Sequence, residues 1–218
     1  MGWGDSMRFV SWMKLAALAA PIALAAPALA GPTNLGFESD TLAGWTSNGG
    51  DTFVTGTISN SGGGSFDAAA EGYLFGGTTA GLGEGVYSTL SQSFSLKAGG
   101  TITGYAGFLS NDYMPYNDDA YVSVNGISLL TWDVAGVGDY GASGWVPFSF
   151  TAITAGVYTL ELGVANRVDN NQSSQAVIDG VQVSGAVVPE PASWALMVLG
   201  FGAAGMALRT RRRQISFG

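Results

Sequence analysis

The chain has 218 residues, room for one domain with terminal segments, and contains neither cysteine nor histidine. Disulfides, thiol or imidazole nucleophiles, the Ser-His-Asp triad and ordinary zinc sites are therefore excluded. Residues 31–188 hold only Lys97 and Arg167 against fourteen acids, a formal charge of −12, so nucleic acid is excluded as a partner.

The first predicted element is an export signal over residues 1–30. Arg8 and Lys14 provide a positive start, and an apolar run begins at Leu15. Ala28 and Ala30 place small residues three and one before the expected cleavage in front of Gly31. Pro21 and Pro27 argue against an uncleaved membrane helix. Met7 is an alternative start, since Met1–Ser6 add nothing to the positive region. The match of Met1-Gly2…Ser6 to a myristoylation pattern is set aside because an export signal follows it.

Residues 31–187 read as short strands. The whole chain's thirty-four glycines and many Ser, Thr, Val and aromatic residues favour strands and turns over helices. Nine candidates follow in order: Asn34–Glu38, Asp51–Ile58, Gly72–Gly76, Tyr87–Leu96, Thr101–Leu109, Ala120–Leu130, Trp145–Thr151, Gly156–Val164 and Ala176–Ser184. In "VYTLELGV", Tyr158, Leu160, Leu162 and Val164 alternate with Val157, Thr159, Glu161 and Gly163, the period of a half-buried strand. Turn signals stand at Asn48-Gly49-Gly50, Ala98-Gly99-Gly100, Asn125-Gly126 and Ala155-Gly156. The expected fold is all-β, an antiparallel sandwich of jelly-roll type.

Within this domain the stretch "SNDYMPYNDD" gathers Asp112, Tyr113, Tyr116, Asn117, Asp118 and Asp119. Aromatic rings stack on the apolar face of a sugar, and acids and amides bond its hydroxyls, so these six are the candidate ligand residues. A polar loop or a second cation site reads equally from the same residues; the spacing is not that of an EF-hand. Trp45, Trp132 and Trp145 are expected in the core or at strand edges. The string Gly136-Val137-Gly138-Asp139-Tyr140-Gly141 fits G-x-G-x-x-G but opens no predicted helix, so a nucleotide reading fails. Fourteen acids guarantee paired carboxylates by chance, so no catalytic residue is assigned and the protein is expected not to be an enzyme.

The segments "NLGFESDTLAGWT", "SQSFSLKAGGTITGYAGF" and "GVYTLELGVAN…AVIDGVQVSG" resemble carbohydrate-binding-module sandwiches of the galactose-binding-like type. In such sandwiches an acid of the first strand and one of the last often hold structural calcium. The resemblance thereby implies Glu38 and Asp179 as a metal pair. Asp179 lies inside an apolar strand, where a bare charge is costly; a cation or backbone donors would each account for it.

The last element is "VPEPASWALMVLGFGAAGMALRTRRR", residues 188–213. Ala192–Leu208 is uncharged and spans ~25 Å as a helix, the short limit for a transmembrane helix over 192–208. The arginines after it, and residues 214–218, would stay cytoplasmic. Pro189-Glu190-Pro191, Trp194-Ala195 and the cluster Arg211, Arg212, Arg213 resemble the PEP-CTERM sorting signal in its PEPxxWA form, also catalogued as an ice-binding protein C-terminal domain. That resemblance implies a Gram-negative exporter and an exosortase, a membrane enzyme that cuts near the PEP. It implies an inner-membrane-tethered precursor and a product at the cell surface or in an exopolysaccharide matrix. The expected function is a non-catalytic carbohydrate- or exopolysaccharide-associated binding module. The alternatives are a purely structural matrix or adhesion protein and, last, a glycan-active enzyme.

Overall fold

In a computed structural model, residues 31–68, 74–81, 83–187 and 193–212 are described. Among the described residues eleven strands run in chain order: β1 (Thr46–Asn48), β2 (Thr52–Thr55), β3 (Thr57–Ser59), β4 (Ser65–Asp67), β5 (Phe75–Thr79), β6 (Ser88–Leu109), β7 (Asp119–Val124), β8 (Ile127–Asp133), β9 (Val146–Thr151), β10 (Gly156–Ala165) and β11 (Gln175–Ala186). A single turn of helix, α1 (Val134–Val137), follows β8, and a helix α2 (Ser193–Arg212) follows the domain.

Strand β6 organises the sandwich. Its first half pairs with β1 and β10, and β10 continues to β7 and β8. Its second half pairs with β9 and β11, and β11 continues to β5 and β2. All these pairings are antiparallel. The chain thus changes layer near Gly99, whose φ of 77° few other residues adopt. Between the layers lie Leu90, Phe94 and Leu96 from the first half of β6, and Ile102, Ala106 and Phe108 from the second. Leu160, Leu162 and Val164 of β10 meet them, the alternation visible in the sequence.

A smaller core covers the outer side of the second layer. Phe66 of the β3–β4 hairpin packs with Phe75, Leu109 and Val177. Trp145 sets its edge against Phe66 and Phe75, with centroids 5.0 and 5.4 Å away, and donates its indole N–H to the Asp67 carbonyl at 2.7 Å. Trp45 and Trp132 also pack against the main core, as expected of them.

Several boundaries differ from expectation. Asn34–Glu38 is not a strand: Asn34 and Phe37 have φ of 51° and 59°, left-handed values that break a ladder. The segment acts as a plug. Phe37 is fully buried and stacks on Trp45 at 5.1 Å. Of the expected strand Gly72–Gly76, residues 72–73 lie outside the described residues and the observed strand is Phe75–Thr79, while Asp51–Ile58 splits into β2 and β3 around Gly56. Ala120–Leu130 is two strands, β7 and β8, because Asn125 and Gly126 both take positive φ, the requirement of a tight hairpin turn. β1, β4 and α1 carry too few residues for periodicity to reveal them.

The uncharged run 192–208 is helical from Ser193 onward, but among the described residues no helix is long and apolar enough to cross a membrane. The expected transmembrane helix is corrected on that point. The run has seventeen uncharged residues, three of them glycine, before the arginines begin. The signal segment 1–30 and Pro189, Glu190, Pro191 and Arg213 lie outside the described residues.

Register gives the sandwich two distinct ends. Ala165, Asp119, Asp133, Leu109 and Gln175 mark one end, where segments 110–118, 138–145 and 166–174 gather. Leu96, Thr101, Gly156 and Ala186 mark the other, where the chain leaves β11 toward α2.

Candidate functional site

The candidate site is built at the end remote from α2. The Asp118 carboxylate and the Asp112 backbone carbonyl, both buried, tie its loops together. Asp118 accepts from the Arg167 amide at 2.9 Å and the Ser174 hydroxyl at 2.7 Å, tying segment 110–118 to 166–174. Asp112 accepts from its neighbour's amide, Tyr113 N, at 2.8 Å, while its carbonyl receives the Tyr140 amide at 2.9 Å. Loss of water raises both carboxyls above the ordinary aspartate value. The donors on each act the other way and are outweighed.

Asn117 is also structural. Its amide oxygen accepts from Ala135 N at 2.8 Å, and its amide nitrogen donates to Asp133 at 3.2 Å. Asp133 in turn caps α1 by accepting from Gly136 N. Asp139 accepts from Met114 N at 2.9 Å, and Asn60 donates to the carbonyl of Tyr140 at 2.8 Å.

With the backbone fixed in this way, three tyrosine rings meet at the surface. Tyr113 lies 5.2 Å from Tyr116, edge to face, and 5.8 Å from Tyr140 with planes 33° apart. Tyr113 is 38% exposed, the others partly so. Tyr116 beside it raises the Tyr113 hydroxyl, which stays a neutral donor at neutral pH. Gln172 reaches the Tyr140 hydroxyl at 3.5 Å. This is an aromatic surface rimmed by amide and carboxylate groups, suited to a flat, hydroxylated ligand.

Asp119 departs from its loop neighbours. It joins a second group on the outer side of the first layer, where Arg167 binds it at 2.7 Å and donates to Tyr87 at 2.8 Å. The Arg167 guanidinium is also 5.2 Å from the Tyr87 ring centre, and its bond with Asp119 raises its pKa further. Tyr121 lies across Gly163, where a Cβ would come within 2.5 Å of its ring, and donates to Glu161 at 2.6 Å. A cleft of about 270 Å³ borders this group, lined by Tyr87, Asp119, Tyr121, Thr131, Trp132 and Asp133. Its charged groups already satisfy one another.

The six predicted ligand residues therefore divide: Tyr113 and Tyr116 to the tyrosine cluster, Asp112, Asn117 and Asp118 to the scaffold beneath it, and Asp119 to the sheet face. Tyr140 was missed. Its signal was present in the Asp139-Tyr140 pair between glycines, inside the string weighed only as a nucleotide loop. Tyr87, Tyr121 and Arg167 were legible only as scattered residues.

The two acids expected to hold calcium, Glu38 and Asp179, differ in burial. Asp179 is buried and its carboxylate accepts from Gly180 N at 2.6 Å, the backbone donor that stood beside a cation as the explanation for its burial. Glu38 is exposed and accepts from Leu74 N at 3.2 Å. Among the described residues no group of three or more acids could hold a metal ion. No role is built on a cation at this pair.

Residues 187–213 match the PEP-CTERM protein-sorting motif. No curated protein matches the chain. Among solved structures, the chain is similar to TmCBM61 in complex with β-1,4-galactotriose: 17% identity, 70% of this chain and 95% of that one, TM-score 0.43. It is similar to the CBM22-1 xylan-binding domain of Xyn10C from Paenibacillus barcinonensis: 20% identity, 71% and 93%, TM-score 0.37. It is also similar to the Stig cyclase Fisc from Fischerella sp. TAU: 14% identity, 75% and 100%, TM-score 0.44. These likenesses concern the sandwich; what the three proteins bind or do stays with them.

Proposed function

We propose that this chain is an exported, non-catalytic carbohydrate-binding protein whose ligand rests on the cluster of Tyr113, Tyr116 and Tyr140. One observation carries the reading: three loops distant in sequence are tied by the buried Asp118 carboxylate and the Asp112 backbone carbonyl so that three rings converge at the surface. The Asp118 carboxylate is placed for support, not chemistry. Asp118 is fully buried with both carboxylate oxygens bonded to the protein, which keeps it from serving as a general acid toward a glycan.

The sorting motif at 187–213 supports export and C-terminal processing. In this reading an exosortase-type enzyme of a Gram-negative host removes the tail near Pro189-Glu190-Pro191, and the freed domain associates with surface or matrix polysaccharide. Intact-mass analysis of the surface form tests the processing: loss of Arg211–Arg213 is expected, and their retention would reject it. A glycan array probed with the purified protein tests the binding. Selective binding of one glycan class, lost on removing the tyrosines, is expected. Absence of binding at high protein concentration would leave the structural-matrix role as the better account.

A further inference from the structure

The end of the sandwich nearest the tail differs in kind from the end that carries the tyrosines. It is formed by segments 97–100, 125–126, 152–155 and 185–187. None of these segments contains an acid, in a domain with fourteen, and the cation Lys97 lies among them. At the opposite end stand Glu84, Asp112, Asp118, Asp119, Asp133, Asp139 and Asp169, offset by Arg167 alone.

The acid-free end is also apolar at its surface. Ile153 is 89% exposed and Ile127 58%, with Val157 and Val187 about half exposed. Single exposed apolar residues are ordinary, but these four stand on segments that hydrogen bonds join at one end of the sandwich. Asn125, beside Ile127, donates to the Val157 carbonyl at 3.2 Å. Val157 pairs with Ser95, whose carbonyl accepts from Val187 N at 2.7 Å. The turn carrying Ile153 is tied in by the bond from Gly99 N to Ala152 O at 2.7 Å.

From Val187 the chain needs six residues to reach α2 at Ser193, at most ~20 Å even fully extended. Helix α2 exposes Met197, Val198, Leu199, Phe201, Met206 and Leu208. Whatever covers those side chains lies within reach of the acid-free end. The two ends are separated by the length of β10, ten residues or ~30 Å. That is several Debye lengths at physiological salt, ~8 Å each, so the remote acids are screened from a surface touching the near end.

We propose that this end, with Lys97, Ile127, Ile153, Val157 and Val187, is a docking surface for a phospholipid bilayer while the tail remains uncut. The inference rests on reading the tail as a sorting signal engaged at a membrane. The domain then stands upright, the sorting motif is held at headgroup level, and the tyrosine cluster faces away from the lipid. Apolar side chains enter the interface, the cation Lys97 meets lipid phosphate, and the seven acids of the tyrosine end are kept clear of it.

The absence of cysteine makes the test clean. Full-length protein carrying Ile153→Cys, and separately Ala135→Cys on exposed Ala135 at the opposite end, is labelled with an environment-sensitive fluorophore. Each is floated with phosphatidylethanolamine–phosphatidylglycerol vesicles and titrated with an aqueous quencher. The label at 153 is expected to shift to the blue and to become severalfold less quenchable on vesicles, with the label at 135 unchanged. In an Ile127→Cys chain, adding Lys97→Glu and Ile153→Glu is expected to restore quenching to its vesicle-free value. Flotation with the 153 label still fully quenchable would overturn the docking surface alone. Failure to float would overturn it together with the tail reading. Shielding of the 153 label without vesicles would assign the patch to a second copy of the chain and overturn the lipid.

Discussion

Replacing Tyr113 by alanine removes the most exposed ring of the cluster. A tyrosine can bury ~200 Å², and 38% of Tyr113 is open, so a ligand fully covering it removes about 75 Å² from water. At ~25 cal/mol per Å² that is close to 2 kcal/mol, about thirtyfold in Kd; covering half the area gives about fivefold. Tyr113→Ala is therefore expected to weaken the glycan selected on the array by between about fivefold and thirtyfold in isothermal titration. Tyr113→Phe keeps the ring and is expected to stay within about twofold of wild type, because stacking area carries the term. Tyr121→Ala, on the sheet face, is the control and is expected to leave affinity unchanged. Unaltered binding by Tyr113→Ala, or an equal loss from Tyr113→Phe, would refute the stacking argument; loss only in Tyr121→Ala would move the site to the sheet face.

Further outcomes follow from the scaffold. Burial raises the folded-state pKa of Asp112 and Asp118 above the unfolded value, so the folded protein binds more protons just above pH 4 than the unfolded chain. Stability contributed by these two groups is present at low pH and lost as pH rises through their folded pKa values. Melting midpoints should therefore hold or rise between neutral pH and about pH 4.5, and Asp118→Asn should flatten that response; a steep acid loss in wild type would contradict it. Gly76→Ala places a Cβ 2.3 Å from the buried Phe37 ring, so about 1–3 kcal/mol of destabilisation is expected in urea unfolding. Stripping divalent cations is expected to move the melting midpoint by less than about 1 °C, well under the shift of a 1 kcal/mol effect. A drop of several degrees reversed by calcium, and absent in Asp179→Asn, would instead support the cation expected at Glu38 and Asp179.

What was legible in the sequence was whatever repeats. β10 alternates for eight residues and buries the expected face, and Asn125-Gly126 marks a turn in both readings. What escaped had no local period. Phe37 is apolar among short polar residues and reads as part of a strand, yet it serves as a plug because its partners, Gly76 and Trp45, come from elsewhere in the chain. The loop 110–118 was found by composition, which could not separate its two jobs. An aspartate that accepts from a distant amide and one that faces solvent look alike until the partner is placed. Asp118 finds Arg167 N across 49 residues, while its neighbour Asp119 turns to the guanidinium of the same arginine.

That adjacency bears on how the domain tolerates its charge. Fourteen acids against two cations would repel one another in a compact body. The described contacts show the strain handled by placement. Asp118 and Asp112 are buried under backbone donors, Asp133 and Asp139 accept from loop amides, and Asp119 takes the one nearby cation. Asp112, Asp118 and Asp139 thereby stiffen the loops that the rings stand on. The same concentration leaves the tail end free of acids. The charge that would oppose contact with an anionic surface is thus spent on holding the opposite pole in shape, and one distribution of fourteen side chains sets both the rigidity of the candidate site and the direction in which it faces.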